Sequence, residues 1–141
     1  FYDIVFDKIN QSFEKNFKNL HDLNNDLFKK ILKILRSDVD LHYSSKLNTK
    51  FKKDDLVIEI IKKIGDNDYL TGQGALNYMD LNKFKKEKIK VYTYDFNYSK
   101  YDQLWNKIGF TKDLSIIDLI FNNLDSADEY IFKCGKINRI I

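Results

Sequence analysis

The residues best suited to chemistry lie between positions 42 and 118. Thr71-Gly72-Gln73-Gly74-Ala75 joins a strand-like run to a helical one. Glycines in such a turn let a backbone approach a ligand closely, and a helix start beyond it offers free N–H groups to an anion. The turn matches neither the dinucleotide-binding nor the P-loop glycine pattern in full. It also suits a tight turn demanded by the chain path, and both readings stand. Ser44-Ser45-Lys46 closes another strand-like run. Open α/β sheets bind ligands beyond the carboxyl ends of their strands, so two hydroxyls and an ammonium there can hold a phosphate. The alternative is a polar turn ending in a solvated lysine. Tyr98, Tyr101, Gln103 and Trp105 follow the clearest strand of the chain. Aromatic faces beside an amide suit a sugar or a base, and they equally suit packing beneath a loop.

His21 and His42 are the only histidines. His42 adjoins Ser44 and Ser45 and is the candidate acid–base group, because imidazole titrates near neutral pH. A structural role is the alternative for both. Asp118 can serve as a base, but a place in the first turn of a helix already gives it a structural task. Cys134 is the only cysteine and has no nucleophile setting. No His, Cys and Asp arrangement has metal-ligand spacing. The candidate set is therefore His42 for proton transfer, with Ser44, Ser45, Thr71, Gly72, Gly74, Tyr78, Tyr101 and Gln103 for substrate. No cofactor or metal is called for.

Periodicity places the elements that must position these groups. Phe6, Ile9, Phe13, Phe17 and Leu20 recur at helical spacing, which predicts one amphipathic helix over residues 1–20. His21-Asp22 then breaks the chain before a second helix over residues 22–35. The two form a helical hairpin over residues 1–36. Residues 38–43 alternate as a short strand. Residues 54–64 are a third helix, capped by Asp54 and stopped by Gly65. Residues 69–71 form a second strand, residues 75 or 80 to 88 a helical piece, and residues 89–94 the cleanest strand. Residues 115–123 are a helix with Ser115 as cap and Asp118 at the capping-box position. Asp125-Ser126 caps a last helix to Lys133, and residues 135–141 are a tail. Helical links between strands imply parallel pairing. The expected class is α/β: a helical hairpin, then a small, mostly parallel three-stranded sheet with flanking helices over residues 37–141, all part of a larger α/β domain.

The bulk numbers narrow the partners. A chain of 141 residues with 43% hydrophobic residues can bury a real core. Charges interleave, and 24 basic against 21 acidic residues leave only +3, which speaks against nucleic acid as a partner. No apolar run approaches the roughly 20 residues of a membrane-spanning helix. A lone cysteine and no visible secretory signal suit a reducing, cytoplasmic setting. The first residue is Phe1, so a processed chain or a fragment is expected.

An ordered set of motifs adds a family likeness. Tyr69-Leu70-Thr71-Gly72, Gly74-Ala75, Tyr78, Phe84, Ile89-Lys90-Val91, Tyr101-x-Gln103 and the run Leu114 to Asn122 together resemble the carboxy-terminal half of the WbqC-like family. Asn24 and Ser44-Ser45 match its upstream pattern. Two departures stand out: the family's amino-terminal strand and proline-containing loop have no counterpart here, and Asn123-Leu124-Asp125 replaces the glycine expected after Phe121-Asn122. The resemblance implies a role in making bacterial surface polysaccharide such as O-antigen, with glycine (aminoacyl) transfer to a nucleotide-linked amino sugar. In that picture Gly72, Gly74 and Ser45 approach phosphate, and Tyr101 and Gln103 contact the sugar or base. The alternative is a non-catalytic module that binds a partner protein or a second copy of itself through the apolar faces of its first two helices.

Overall fold

The computed structural model describes residues 2–97 and 99–141. Phe1 and Tyr98 lie outside them, and with them the first residue of the expected helix and one member of the expected aromatic patch. The chain folds as α/β in two compact units: Phe1–Val39 with Tyr98–Cys134, and Asp40–Asn97 with Gly135–Ile141.

The first unit is helical: α1 (Tyr2–Phe13), α2 (Leu20–Ile34), α5 (Ile116–Asn123) and α6 (Ala127–Lys133). The expected first helix stops at Phe13 rather than at residue 20, and the second starts at Leu20, so the break lies earlier than His21-Asp22. Asn19 supplies the reason: its side chain accepts from the Asp22 N–H at 2.9 Å and starts α2. The buried stripe of α1 is also turned by one residue from the expected one. Val5 and Ser12 are fully buried, whereas Phe6, Phe13 and Leu20 are exposed. Val5 meets Leu119, Ile120 and Ala127 in the core, with Ile9 and Ile31 packed against them. Ser12 is tolerated inside because its hydroxyl donates to Asp26 at 2.7 Å. Lys15 donates to the other Asp26 oxygen at 2.8 Å, and Lys30 stands 3.4 Å away.

The second unit holds α3 (Lys53–Ile64), β1 (Asp68–Thr71), α4 (Leu81–Lys86), β2 (Lys90–Phe96) and β3 (Gly135–Arg139). Gly65 ends α3 in the left-handed region at φ 77°, as a helix-stopping glycine should. Lys52, not Asp54, is the cap; Asp54 lies in the first turn. The sheet runs β1-β2-β3. β1 and β2 pair in parallel across α4, from Asp68↔Lys90 to Thr71↔Thr93. β3 is antiparallel to β2, from Tyr92↔Arg139 to Phe96↔Gly135. Two expectations change here. Residues 38–43 make no strand, because the chain passes between the units there, at Val39 and Asp40, and their backbone joins no ladder. The third strand comes instead from the supposed tail, so the sheet is mixed. Its covered face packs Val91 and Ile89 on Ile58, Ile61 and Phe84. The Phe84 ring stacks on Tyr69 at 5.8 Å.

Two predictions follow from these cores. Phe84 is fully buried. Phe84→Ala should cost about 3–5 kcal/mol, read as a lower urea midpoint. In the first unit, the Lys15 ammonium, then the Ser12 hydroxyl, hold the Asp26 carboxyl down from 3.8 to about 2. A lowered carboxyl stabilises the fold above its ordinary value, and that contribution is lost as pH falls from 3.8 towards 2. A carbon-detected carboxyl titration should place Asp26 well below the ordinary aspartate value, and Asp26→Asn should abolish this part of the acid sensitivity.

Candidate functional site

Within the first unit, residues 99–111 form a loop held against α5 by polar side chains. Asp118, in the first turn of α5, is the centre. The Tyr101 hydroxyl donates to its Oδ2 at 2.6 Å, and Gln103 Nε2 reaches the same oxygen at 3.1 Å. Asn122, one turn on, donates to Oδ1 at 3.2 Å and to the Asp118 carbonyl at 2.8 Å. The Asn122 side-chain oxygen in turn accepts from the Leu104 N–H at 2.9 Å. Gln103 closes the loop: its amide donates to the Thr111 carbonyl and accepts from the Thr111 N–H, both at 2.9 Å. Ser115 caps α5 through the Ile117 N–H, but the expected reciprocal capping bond from Asp118 is absent, because that carboxylate is turned to the loop.

The Tyr101 ring is clamped edge-on between Phe110 and Tyr130, each at 5.2 Å. Desolvation, followed by the hydrogen bond to Asp118, pushes its hydroxyl up to about 12. Tyr101 therefore stays a donor throughout the physiological range. Tyr101 and Gln103 form one wall of an open concavity of about 530 Å³, whose rim carries Lys100, Asn106, Asn123 and Ser126. Aromatic edges with amides, a hydroxyl and an ammonium are groups that bind polar, hydroxyl-rich molecules. Trp105 takes no part: it is exposed and precedes a short 3-10 turn, Asn106–Ile108. Cys134 is buried with its sulfur 3.3 Å from the Ser99 hydroxyl.

The remaining sequence candidates belong to the second unit. Thr71 and Tyr78 line one cavity of about 370 Å³ beside the start of α3. Gly72 and Gly74 flank the start of a 3-10 turn, Gln73–Asn77, rather than an α-helix; α4 begins only at Leu81, capped by Asp80. A Cβ at either glycine would meet nothing within 4 Å, and neither has a positive φ. The chain path therefore demands glycine at neither position. Ser44 and Ser45 are exposed in a 3-10 turn whose following carbonyls, Leu47 and Asn48, accept from Lys63 at 2.7 and 2.9 Å. Lys46 lies over the Tyr43 ring at 5.3 Å. His42 is exposed just before this turn.

Sequence reasoning selected Tyr101 and Gln103, and it weighed the hub, Asp118, as a base but preferred a structural task for it. Asp118 and Asn122 are four apart, hence on one face of a helix, and that spacing was the available signal. No group of three or more His, Cys, Asp or Glu able to hold a metal exists among the described residues.

A small mixed α/β fold with a Tyr-Gln-Asp-Asn cluster under an open, polar concavity is the class these observations define. The chain matches the WbqC-like protein family over residues 1–130 and belongs to that family. It is 30% identical over 124 residues to the uncharacterized protein Rv1507c of Mycobacterium tuberculosis, a match covering 87% of this chain and 53% of that protein. The chain thus spans about half the length of this curated relative. No solved structure gives a significant match. The likeness noted from motifs agrees with this membership, and its Tyr101, Gln103, Asp118 and Asn122 are the four members of the cluster.

Tyr101→Phe should lower stability by about 1–2 kcal/mol, since a carboxylate loses one donor but keeps two. The raised Tyr101 value means stability is fully present below pH 10 and is lost as pH climbs through about 12. Urea melts of wild type and Tyr101→Phe at pH 8 and pH 11 should therefore converge at the higher pH.

Proposed function

We propose that this chain is the sugar-recognising part of a WbqC-like protein that acts in bacterial surface polysaccharide (O-antigen) biosynthesis in the cytoplasm. The observation that carries the reading is the Tyr101–Gln103–Asp118–Asn122 network backing an open polar concavity. Its exposed amides and ring edges suit the hydroxyls and apolar face of a sugar carried on a nucleotide. The whole protein then transfers glycine to the amine of that sugar. Glycine attacks the α-phosphate of ATP to give a glycyl adenylate with release of pyrophosphate; the amine nitrogen then attacks the glycyl carbonyl, an amide forms, AMP leaves, and the amine proton passes to a base. Taken by itself, the second unit offers His42 as a candidate proton acceptor and Ser44, Ser45, Gly72 and Gly74 as candidate phosphate contacts.

Mass spectrometry of the full-length protein with ATP, glycine and a panel of amino nucleotide-sugars should show one sugar gaining a glycyl residue. Gln103→Ala should raise KM for that sugar with a smaller effect on kcat. No gain in mass across the panel would remove glycine transfer; unchanged KM in Gln103→Ala would remove the concavity as the sugar site.

A second reading, a binding module without catalysis, draws on the apolar groups that α1 leaves exposed: Tyr2, Ile4, Phe6 and Phe13. Tyr2 stacks on Phe6 at 5.3 Å and meets Phe121 at 5.4 Å, a flat aromatic surface. Light scattering that shows an oligomer, together with a melting temperature that no nucleotide-sugar raises, would favour this reading.

A further inference from the structure

The cavity of about 370 Å³ in the second unit has a chemistry different from the concavity around Tyr101. Its walls are largely apolar: Tyr69 stacked on Phe84, with Val57 and Met79. Tyr78, strongly exposed, stands at its edge. Besides the tyrosine hydroxyls, three polar side chains interrupt these walls: Lys53, Thr71 and Asp54. Thr71 is only 9% exposed, and its hydroxyl makes no hydrogen bond among the described residues. Asp54 is half-buried; one of its oxygens accepts from the Asp80 N–H at 2.9 Å, which fixes the carboxylate, and among the described residues no lysine is ion-paired with it.

The lining carries one carboxylate, Asp54, and one ammonium, Lys53. Beyond it Asp54, Asp55 and Asp80 stand near the Lys83 ammonium, which both Asp55 oxygens hold at 2.8 Å. The positive end of the α3 dipole, which would otherwise attract a phosphate, is already met by Asp54 and Asp55 in its first turn. An anion therefore finds this end of α3 occupied. A protonated amine finds a pinned carboxylate, aromatic faces for a cation, and a hydroxyl able to accept its N–H. The volume falls in the lower range for small-molecule sites, roughly 300–1,000 Å³.

We propose that this cavity is a binding site for a small organic ammonium ion: a primary amine on a compact apolar body, paired with Asp54, hydrogen-bonded to Thr71 and packed against Tyr69. The site is independent of the sugar reading of the Tyr101 concavity, and either can fail alone. Its test is a ¹H–¹⁵N titration of the protein with cyclohexylammonium, cyclohexanol, cyclohexanecarboxylate and inorganic phosphate in turn. Cyclohexylammonium should shift the Thr71, Ala75 and Met79 amides saturably, and the other three should bind at least about tenfold more weakly. Asp54→Asn should weaken the ammonium about tenfold without changing the response to cyclohexanol. Thr71→Val, which keeps the side-chain shape, should weaken it about threefold and carries the test if Asp54→Asn loses the dispersed spectrum of a fold. Saturable binding of phosphate or carboxylate at equal strength would overturn the proposal. So would the absence of any saturable shift with the amine, or amine binding that both variants leave unchanged.

Discussion

The carboxylate of Asp118 is the constraint on which the first unit's candidate site depends. It gathers three donors from two places: a tyrosine and an amide two residues apart on a loop, and an amide one turn along its own helix. A half-buried carboxylate without such partners carries a large desolvation cost, so satisfying it fixes all three side chains together. The loop cannot move without unpairing a charge. That is why residues 99–111, with little regular structure, still present a defined surface. The same bonds decide the chemistry. Tyr101 remains protonated and Gln103 has its oxygen committed to the Thr111 N–H, so the wall offers oriented polarity rather than a reactive nucleophile.

In the second unit the corresponding constraint is the central strand. β2 holds β1 on one side in parallel and β3 on the other antiparallel, while Val91 beneath it contributes to the core. Thr93, two residues on and fully buried, keeps a hydroxyl with no hydrogen-bond partner among the described residues. Beyond it Asp95 gathers Gln73 on one oxygen and Asn138 at 2.5 Å on the other. The carboxyl ends of the two parallel strands are thus tied to the turn after β1 and to β3. The cavity beside Thr71 opens next to this braced edge, on elements whose positions are set by the sheet.

What the sequence revealed follows from how local each signal is. The Gly65 stop, the Ser115 cap and the β1 and β2 strands rest on residues within a turn or two, and all are present. Residues 38–43 carry the alternation of a strand, yet alternation says nothing of a partner, and the chain spends those residues passing from one unit to the other. The tail has a weak pattern but becomes β3, because pairing with β2 over five residues is a long-range event. The phase of α1 was misread for a related reason: the large phenylalanines suggested the core, while the packing uses Val5 and hides Ser12 behind Asp26. At the site, Tyr101 and Gln103 were legible as residue types. Asp118 was legible as an acid but was set aside, since its place in a first turn supplied a sufficient local explanation.

The edge strand shows how a residue's necessity can be invisible in one place and evident in another. Gly72 and Gly74 look like functional glycines by spacing, but each has open space where a side chain would stand. Gly135 has no motif around it. Its register opposite Phe96 places it across Tyr94, and a Cβ there would lie 1.7 Å from the Tyr94 hydroxyl oxygen. Only the absence of a side chain lets the strand start where the tyrosine ring lies. The family match ends at residue 130, before β3 begins, so this accommodation between Tyr94 and Gly135 joins the matched stretch to a strand beyond it. The third strand is therefore held by its five-residue ladder with β2 and by the Asn138–Asp95 bond, while Gly135 removes the clash that would bar its start, rather than by a strong strand-forming sequence of its own.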